Sequence, residues 1–169
     1  SILVSFYLTF GFFVTVYQEH LVYHPDSQNF YDCKILDKST AIDYQGTRMY
    51  IRDLNKPVVV LYHGNAGSAC DRSFYADLFS SLNKGYILVE YTGYSNDNIK
   101  PSHAAIKNDI ENVVDYLNEK QITAVTVVGE SIGTGAASYH TYLAAPTKLI
   151  LISPFTNLTD VAAKRFWFY

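Results

Sequence analysis

Short runs of uninterrupted apolar residues alternate along this chain with stretches whose apolar residues return every three or four positions. "KPVVVLYHG", Lys56 to Gly64, is β-branched, opened by Pro57 and stopped by Gly64, and reads as a buried strand. "YILVEYTG" predicts a second strand over Tyr86–Tyr91, "AVTVVG" a third, and "KLILIS", Lys148 to Ser153, a fourth. Between the first two, Phe74, Leu78 and Leu82 recur every four residues and mark one face of a helix. Ile106, Ile110, Val113, Val114 and Leu117 step as an amphipathic helix behind Pro101, with Ser102 as its cap. Residues 131–143 predict a further helix. Upstream, "AIDYQGTRMYIRD", Ala41 to Asp53, predicts two short strands around Gln45-Gly46.

Apolar strands separated by helices predict an α/β fold: a mostly parallel, doubly wound sheet covered on both faces. Ligands in such sheets sit beyond the carboxyl ends of the strands. "HGNAG" and "GESIG" both fall at such ends, so two glycine-rich turns are expected to converge on one rim.

The N-terminus follows a different pattern. "ILVSFYLTFGFFVTVY", Ile2 to Tyr17, carries no charge, and the first Lys or Arg of the chain is Lys34. A membrane-spanning helix needs about 20 apolar residues. The run falls slightly short of that and begins at Ser1 rather than a Met, so a preceding segment would complete a single-pass N-terminal anchor. Tyr17 and Tyr23 would then lie near the interface. The alternatives to an anchor are a buried helix or an uncleaved signal segment, and with no basic flank and no small-x-small site the signal segment fits less well. "QEHLVYHPDSQNFYDC" reads as a connector.

Composition excludes several classes. At 169 residues and 49% hydrophobic, the chain suits one domain with a real core. A net charge of −3 with scattered Lys and Arg leaves no nucleic-acid footprint. Cys33 and Cys70 are too few and too far apart in sequence to read as a disulfide framework or a zinc site. The five histidines have no metal-ligand spacing, so neither a metal nor a cofactor is expected.

Gly129-Glu130-Ser131-Ile132-Gly133 has the G-x-S-x-G spacing that presents a serine nucleophile on a strand-to-helix turn. Side chains at the two glycines would collide as the helix folds back on the strand. The helix N-terminus supplies backbone N–H groups and a positive dipole end. The Ile132 N–H would then face the oxygen that turns negative in a tetrahedral intermediate, with a second donor from the Asn65 or Ala66 N–H. Dinucleotide binding fits poorly. Gly133-Thr134-Gly135 with Ser138 departs from G-x-G-x-x-G, and the acid expected about twenty positions on is absent. No Lys follows to make a phosphate loop.

"HGNAGS", "EYTGYS", "PSHAAIKNDIENVVDYL", "GESIGTGAA" and "LILISPFTNLTDVA" together resemble the α/β-hydrolase fold. The likeness is to membrane-anchored α/β-hydrolase domain-containing proteins and their bacterial serine-hydrolase relatives, in which an apolar segment precedes a stretch like "LVYHPDS". The resemblance implies a serine hydrolase of lipid or acyl-protein esters, thioesters or amides, with Ser131 as nucleophile and the Asn65 loop as oxyanion hole. It divides the chain into an anchor (1–20), a connector with the first strands (21–56) and a partial hydrolase domain (57–169).

The catalytic partners are the departure. In this fold the triad runs Ser, then Asp or Glu, then His. Only 38 residues follow Ser131, holding one acid, Asp160, and one histidine, His140, about two turns into the helix leaving the turn. Asp160 precedes the strand that carries the family's acid. His63 belongs to the oxyanion loop, His103 to a helix start, and His20 and His24 to the membrane-proximal connector. Two readings stay open. One is the N-terminal part of a membrane-anchored serine hydrolase whose Asp and His lie elsewhere. The other is an inactive hydrolase-fold subunit with a structural role in a membrane complex. In both, polypeptide outside this sequence, either a C-terminal continuation or a partner subunit, is expected to cover the edge Leu149 to Ile152 and the tail "RFWFY", Arg165 to Tyr169.

Overall fold

Five strands of β-branched and aromatic residues, with a sixth at the margin, build the sheet that carries everything else. The computed structural model describes residues 2–157. In chain order the sheet strands are β2 (Thr40–Tyr44), β3 (Thr47–Arg52), β4 (Val58–Tyr62), β6 (Gly85–Glu90), β7 (Val125–Glu130) and β8 (Lys148–Ile152). They lie in the order β2-β3-β6-β4-β7-β8. β6, β4, β7 and β8 are parallel, and β3 runs antiparallel to both β2 and β6. A two-stranded parallel pair, β1 (His24–Pro25) with β5 (Ala66–Gly67), sits beside it. The α/β class and mostly parallel sheet expected from the sequence are what is found.

The hairpin β2–β3 turns at Gln45-Gly46, both at positive φ (53° and 87°), as a two-residue hairpin loop of matching twist requires. Asp43 Oδ1 accepts the Gly46 N–H at 2.8 Å and fixes the turn.

The buried strands send alternate residues to opposite faces. Val58, Val60 and Tyr62 of β4 pack with α3 (His103–Glu119) and α4 (Gly133–Leu143). Val59 and Leu61 pack on the other side with α2 (Ser73–Ser81) and the connector residues Phe30 and Leu36. Both faces are therefore covered, which is why these strands are apolar throughout. Ser102 caps α3 as expected, its Oγ accepting the Ala105 N–H at 3.1 Å.

Three expectations need correction or restatement. The helix predicted from Phe74, Leu78 and Leu82 exists, but these residues are 57%, 48% and 60% exposed. α2 buries Ala76 and Phe79 instead. Ala76 and Phe79 join the core cluster that holds Tyr86 and Leu88 of β6, so packing rather than apolar periodicity sets the rotation of this nine-residue helix. The cysteines are paired: Cys33 and Cys70, 37 residues apart in sequence, have Cα atoms 5.8 Å apart and form a disulfide. The connector folds back over the sheet, where the Phe30 ring lies 4.3 Å from that of Tyr50 with the Arg48 guanidinium over it, and this brings the two thiols together. The uncharged N-terminal run forms α1 (Ile2–Val22), with Val4, Phe6, Tyr7, Leu8 and Phe12 exposed. Among the described residues, however, no helix is long and apolar enough to cross a membrane. Asp160 and the tail Arg165 to Tyr169 lie outside the described residues.

Two buried ionisable groups make opposite demands on pH. Asp109 of α3 accepts Thr47 Oγ1 at 2.8 Å, the Thr92 N–H at 2.7 Å and Thr92 Oγ1 at 2.9 Å. Burial outweighs these bonds and pushes its carboxyl up from 3.8 to about 6. His140 of α4, held by the Tyr62 hydroxyl at 2.8 Å, is pushed by burial from 6.5 down to about 4. The raised acid favours folding below pH 3.8 and loses that advantage as pH rises to about 6. The depressed histidine favours folding above pH 6.5 and loses that as pH falls to about 4. Each is worth on the order of 3 kcal/mol, and they nearly cancel over the shared window. Chemical denaturation of Asp109→Asn between pH 6.5 and 4 should therefore show stability falling more steeply with acid than in the native chain. An unchanged slope would contradict the assignment.

Candidate active site

The turn between β7 and α4 is built on two glycines. A Cβ on Gly129 would lie 2.4 Å from the Gly133 carbonyl oxygen and 2.7 Å from the Thr134 Cα. One on Gly133 would lie 2.2 Å from the Tyr62 carbonyl oxygen and 2.6 Å from that of His63. The start of α4 thus rests directly on the end of β4. Between the glycines, Ser131 has φ 52°, a left-handed conformation that side-chain-bearing residues adopt at a cost. Surrounding bonds hold it there. Ser131 N donates to Ile152 O at 2.9 Å, and Ser131 O accepts Thr134 N at 2.9 Å and Thr134 Oγ1 at 2.6 Å.

Facing this turn is the loop that follows β4. A Cβ placed on Gly64 would stand 3.6 Å from Ser131 Cβ, so the serine side chain lies against this loop. Ile132 has helical angles at the head of α4, where the first N–H groups have no intrahelical acceptor. Ser131 is thus next to Gly64, which Asn65 and Ala66 follow in the chain, and Ile132 opens α4 on its other side.

The loop is clamped from several sides. The Asn65 carbonyl accepts the His24 N–H at 3.1 Å and the Tyr94 hydroxyl at 2.8 Å. The Asn65 side chain donates to Val22 O, at the C-terminal end of α1, at 2.9 Å. Ala66 and Gly67 pair with His24 and Pro25. Beneath it lies Glu90, fully buried at the end of β6. Its carboxylate accepts the Ala69 N–H at 3.1 Å and Ser95 Oγ at 2.6 Å and pairs with His63 Nε2 at 3.2 Å. His63 Nδ1 lies 2.7 Å from the Gly64 carbonyl oxygen, and its ring packs 4.2 Å from that of Tyr91. Both ring nitrogens of His63 are occupied, which makes it a support for the loop. His140 is likewise taken up, by Tyr62, and the burial that holds it neutral sets it in the core. His20 lies in α1, His24 in β1 and His103 opens α3.

Two polar pairs escaped the sequence reading. Glu90 ends an otherwise apolar strand, a sign that a buried charge needs partners. Arg72 donates from Nε and Nη2 to Glu130 at 3.1 and 2.9 Å and from Nη1 to Ala66 O at 3.2 Å. No metal-holding group of His, Cys, Asp or Glu occurs among the described residues.

No protein-family model matches the chain. It is similar to Protein bem46 of Schizosaccharomyces pombe, 33% identical over 113 residues that cover 63% of this chain and 38% of that protein. It is also similar to the lysophosphatidylserine lipase ABHD12 of Rattus norvegicus, 30% identical over 116 residues, 64% of this chain and 29% of that protein. The fold matches a crystal structure of an esterase/lipase from an uncultured bacterium with a TM-score of 0.57 at 17% identity, covering 83% of this chain and 50% of that one. The chain has an α/β-hydrolase-like fold. The aligned part amounts to well under half the length of either curated relative. Ser131 lies at the apex of the strand-turn-helix element formed by β7 and α4.

The glycine contacts yield a paired prediction. Gly133→Ala should lower stability by about 3 kcal/mol or more, because its methyl would force α4 off β4. Gly135→Ala, with nothing within 4 Å of the added carbon, should be neutral or stabilising by roughly 0.5–1 kcal/mol. Urea titration of the two variants checks the contrast, and equal effects would overturn the packing account.

Proposed function

We propose that this chain carries the nucleophile and oxyanion hole of a membrane-anchored serine hydrolase acting on esters or thioesters of lipid or acyl-protein substrates. The observation that carries the reading is Ser131, held at positive φ between two glycines that admit no side chain and lying against a second glycine-rich loop. Ser131 Oγ attacks the acyl carbon, and the carbonyl π electrons move to oxygen. The N–H groups of Ile132 and of Asn65 or Ala66 stabilise that oxyanion. The serine proton passes to a base, and collapse of the intermediate expels the alcohol or thiol, leaving an acyl-enzyme for water to cleave. His63 and His140 are both engaged elsewhere, and this reading assigns the base and its acid partner to polypeptide outside the described residues. The name of the rat relative, a lipase of lysophosphatidylserine, supports a lipid ester as substrate. Neither a cofactor nor a metal enters this chemistry.

Attachment to a membrane is supported by α1, whose exposed Val4, Phe6, Leu8 and Phe12 belong to an uncharged run. Disulfides persist in oxidising compartments. Cys33–Cys70 therefore supports a lumenal or extracellular domain.

The alternative, a structural subunit of a membrane complex, draws its support from β8. This strand ends the sheet among the described residues, with Leu149, Ile150 and Leu151 37–40% exposed and no charge among them to discourage pairing. In either reading further polypeptide covers that edge.

A fluorophosphonate probe applied to the native protein should label it, and Ser131→Ala should abolish labelling. The 169-residue chain alone should label only faintly, since a serine without its base is a weak nucleophile. Absence of labelling in the native protein would favour the structural subunit. Maleimide alkylation of the unfolded, unreduced protein should leave Cys33 and Cys70 unmodified and label both after reduction; labelling of either before reduction would contradict the oxidising location.

A further inference from the structure

Arg72 lies outside both glycine turns, yet its guanidinium joins them. Nε and Nη2 form a forked pair with the Glu130 carboxylate, and Nη1 donates to the Ala66 carbonyl. Glu130 immediately precedes Ser131, and Ala66 sits in the loop that faces it. One rigid planar group therefore spans from the residue before the nucleophile to the loop offering an oxyanion donor. The pair is largely shielded, with side-chain exposures of 15% for Arg72 and 24% for Glu130, so water competes only partly for these bonds.

Neighbouring residues are shaped around this group. A Cβ on Gly64 would stand 3.2 Å from Glu130 Oε1 and 3.3 Å from Arg72 Nη2. One on Gly67 would meet Asp71 Oδ2 at 2.3 Å and Arg72 Nη1 at 3.2 Å. Arg72 itself is held in place from its own segment. Cys70, two residues earlier, is tied to Cys33, and Asp71 Oδ2 accepts the Ser68 N–H at 2.9 Å. The guanidinium thus starts from an anchored backbone and reaches two others.

We infer that Arg72 is a positioning residue that sets the distance between the Ser131 elbow and the Asn65–Ala66 donors. This rests on the reading of Ser131 as nucleophile. An oxyanion hole needs both donors within hydrogen-bond reach of a single oxygen, and a displacement of about 1 Å can cost on the order of a hundredfold in rate. Lysine cannot replace the fork: its ammonium is a point charge and cannot hold a carboxylate bidentately while also reaching a carbonyl.

The test is phosphonylation of Ser131 in the native protein, resolved into the maximal inactivation rate and the probe's half-saturation concentration. Arg72→Ala should lower the maximal rate by roughly 10- to 100-fold with half-saturation changed less than twofold. Arg72→Lys should fall between it and the native protein. Added guanidine at millimolar concentration should restore part of the rate to Arg72→Ala and none to Ser131→Ala. Should Arg72→Ala fail to fold, Arg72→Lys carries the same measurement. A folded Arg72 variant with an unchanged maximal rate, or one altered only in half-saturation, overturns the inference and leaves the nucleophile reading intact. A native protein that does not label overturns the nucleophile reading, and this inference with it.

Discussion

The contact between the first turn of α4 and the end of β4 is the constraint on which the rest of the site depends. Gly133 lies so close to the Tyr62 and His63 carbonyls that no side chain fits, and Gly129 meets Gly133 and Thr134 at the same closeness. A helix packed this tightly on the strand beside it restricts the path of the connecting residues. That path puts Ser131 at φ 52°. The strained angle costs about 1–2 kcal/mol for a residue with a side chain. Hydrogen bonds from Thr134 to the serine carbonyl and from the serine N–H to Ile152 hold the conformation against that cost.

The facing loop is fixed by a different kind of interaction. Glu90 is a carboxylate without solvent contact, and an unpaired charge there would be expensive. Its bonds to Ala69, Ser95 and His63 meet that demand while tying the loop after β4 to the loop after β6. From the other side, Asn65 joins the loop to the end of α1, and β1 pairs with Ala66 and Gly67. The N-terminal helix is thus in direct hydrogen-bonded contact with the rim of the site. A proposed membrane attachment and a proposed catalytic loop share one residue, Asn65.

Much of this was legible in the sequence wherever a local rule applied. Buried strands declared themselves as β-branched runs, Gln45-Gly46 as a hairpin turn, Ser102 as a cap, and Gly129 and Gly133 as places where backbones meet. What stayed hidden depends on three-dimensional proximity. Cys33 and Cys70 are 37 positions apart, and only the folding of the connector across the sheet brings them together. The rotation of α2 follows from the fit of Ala76 and Phe79 to the sheet, which outweighed the more conspicuous spacing of Phe74, Leu78 and Leu82. Arg72 and Glu130, 58 residues apart, carried no local signal at all. Candidate roles for Ser131, Asn65, Ala66 and Ile132 came from a motif. The residues that hold them in place came only from the structure.

The central claim is that the two turns form a working oxyanion hole around Ser131, and a crystal structure of the native protein with a phosphonate bound to that serine tests it most directly. The account predicts the phosphoryl oxygen about 2.7–3.1 Å from the Ile132 N–H and at the same distance from the Asn65 or Ala66 N–H. A phosphoryl oxygen turned to solvent, with neither donor in reach, would contradict it.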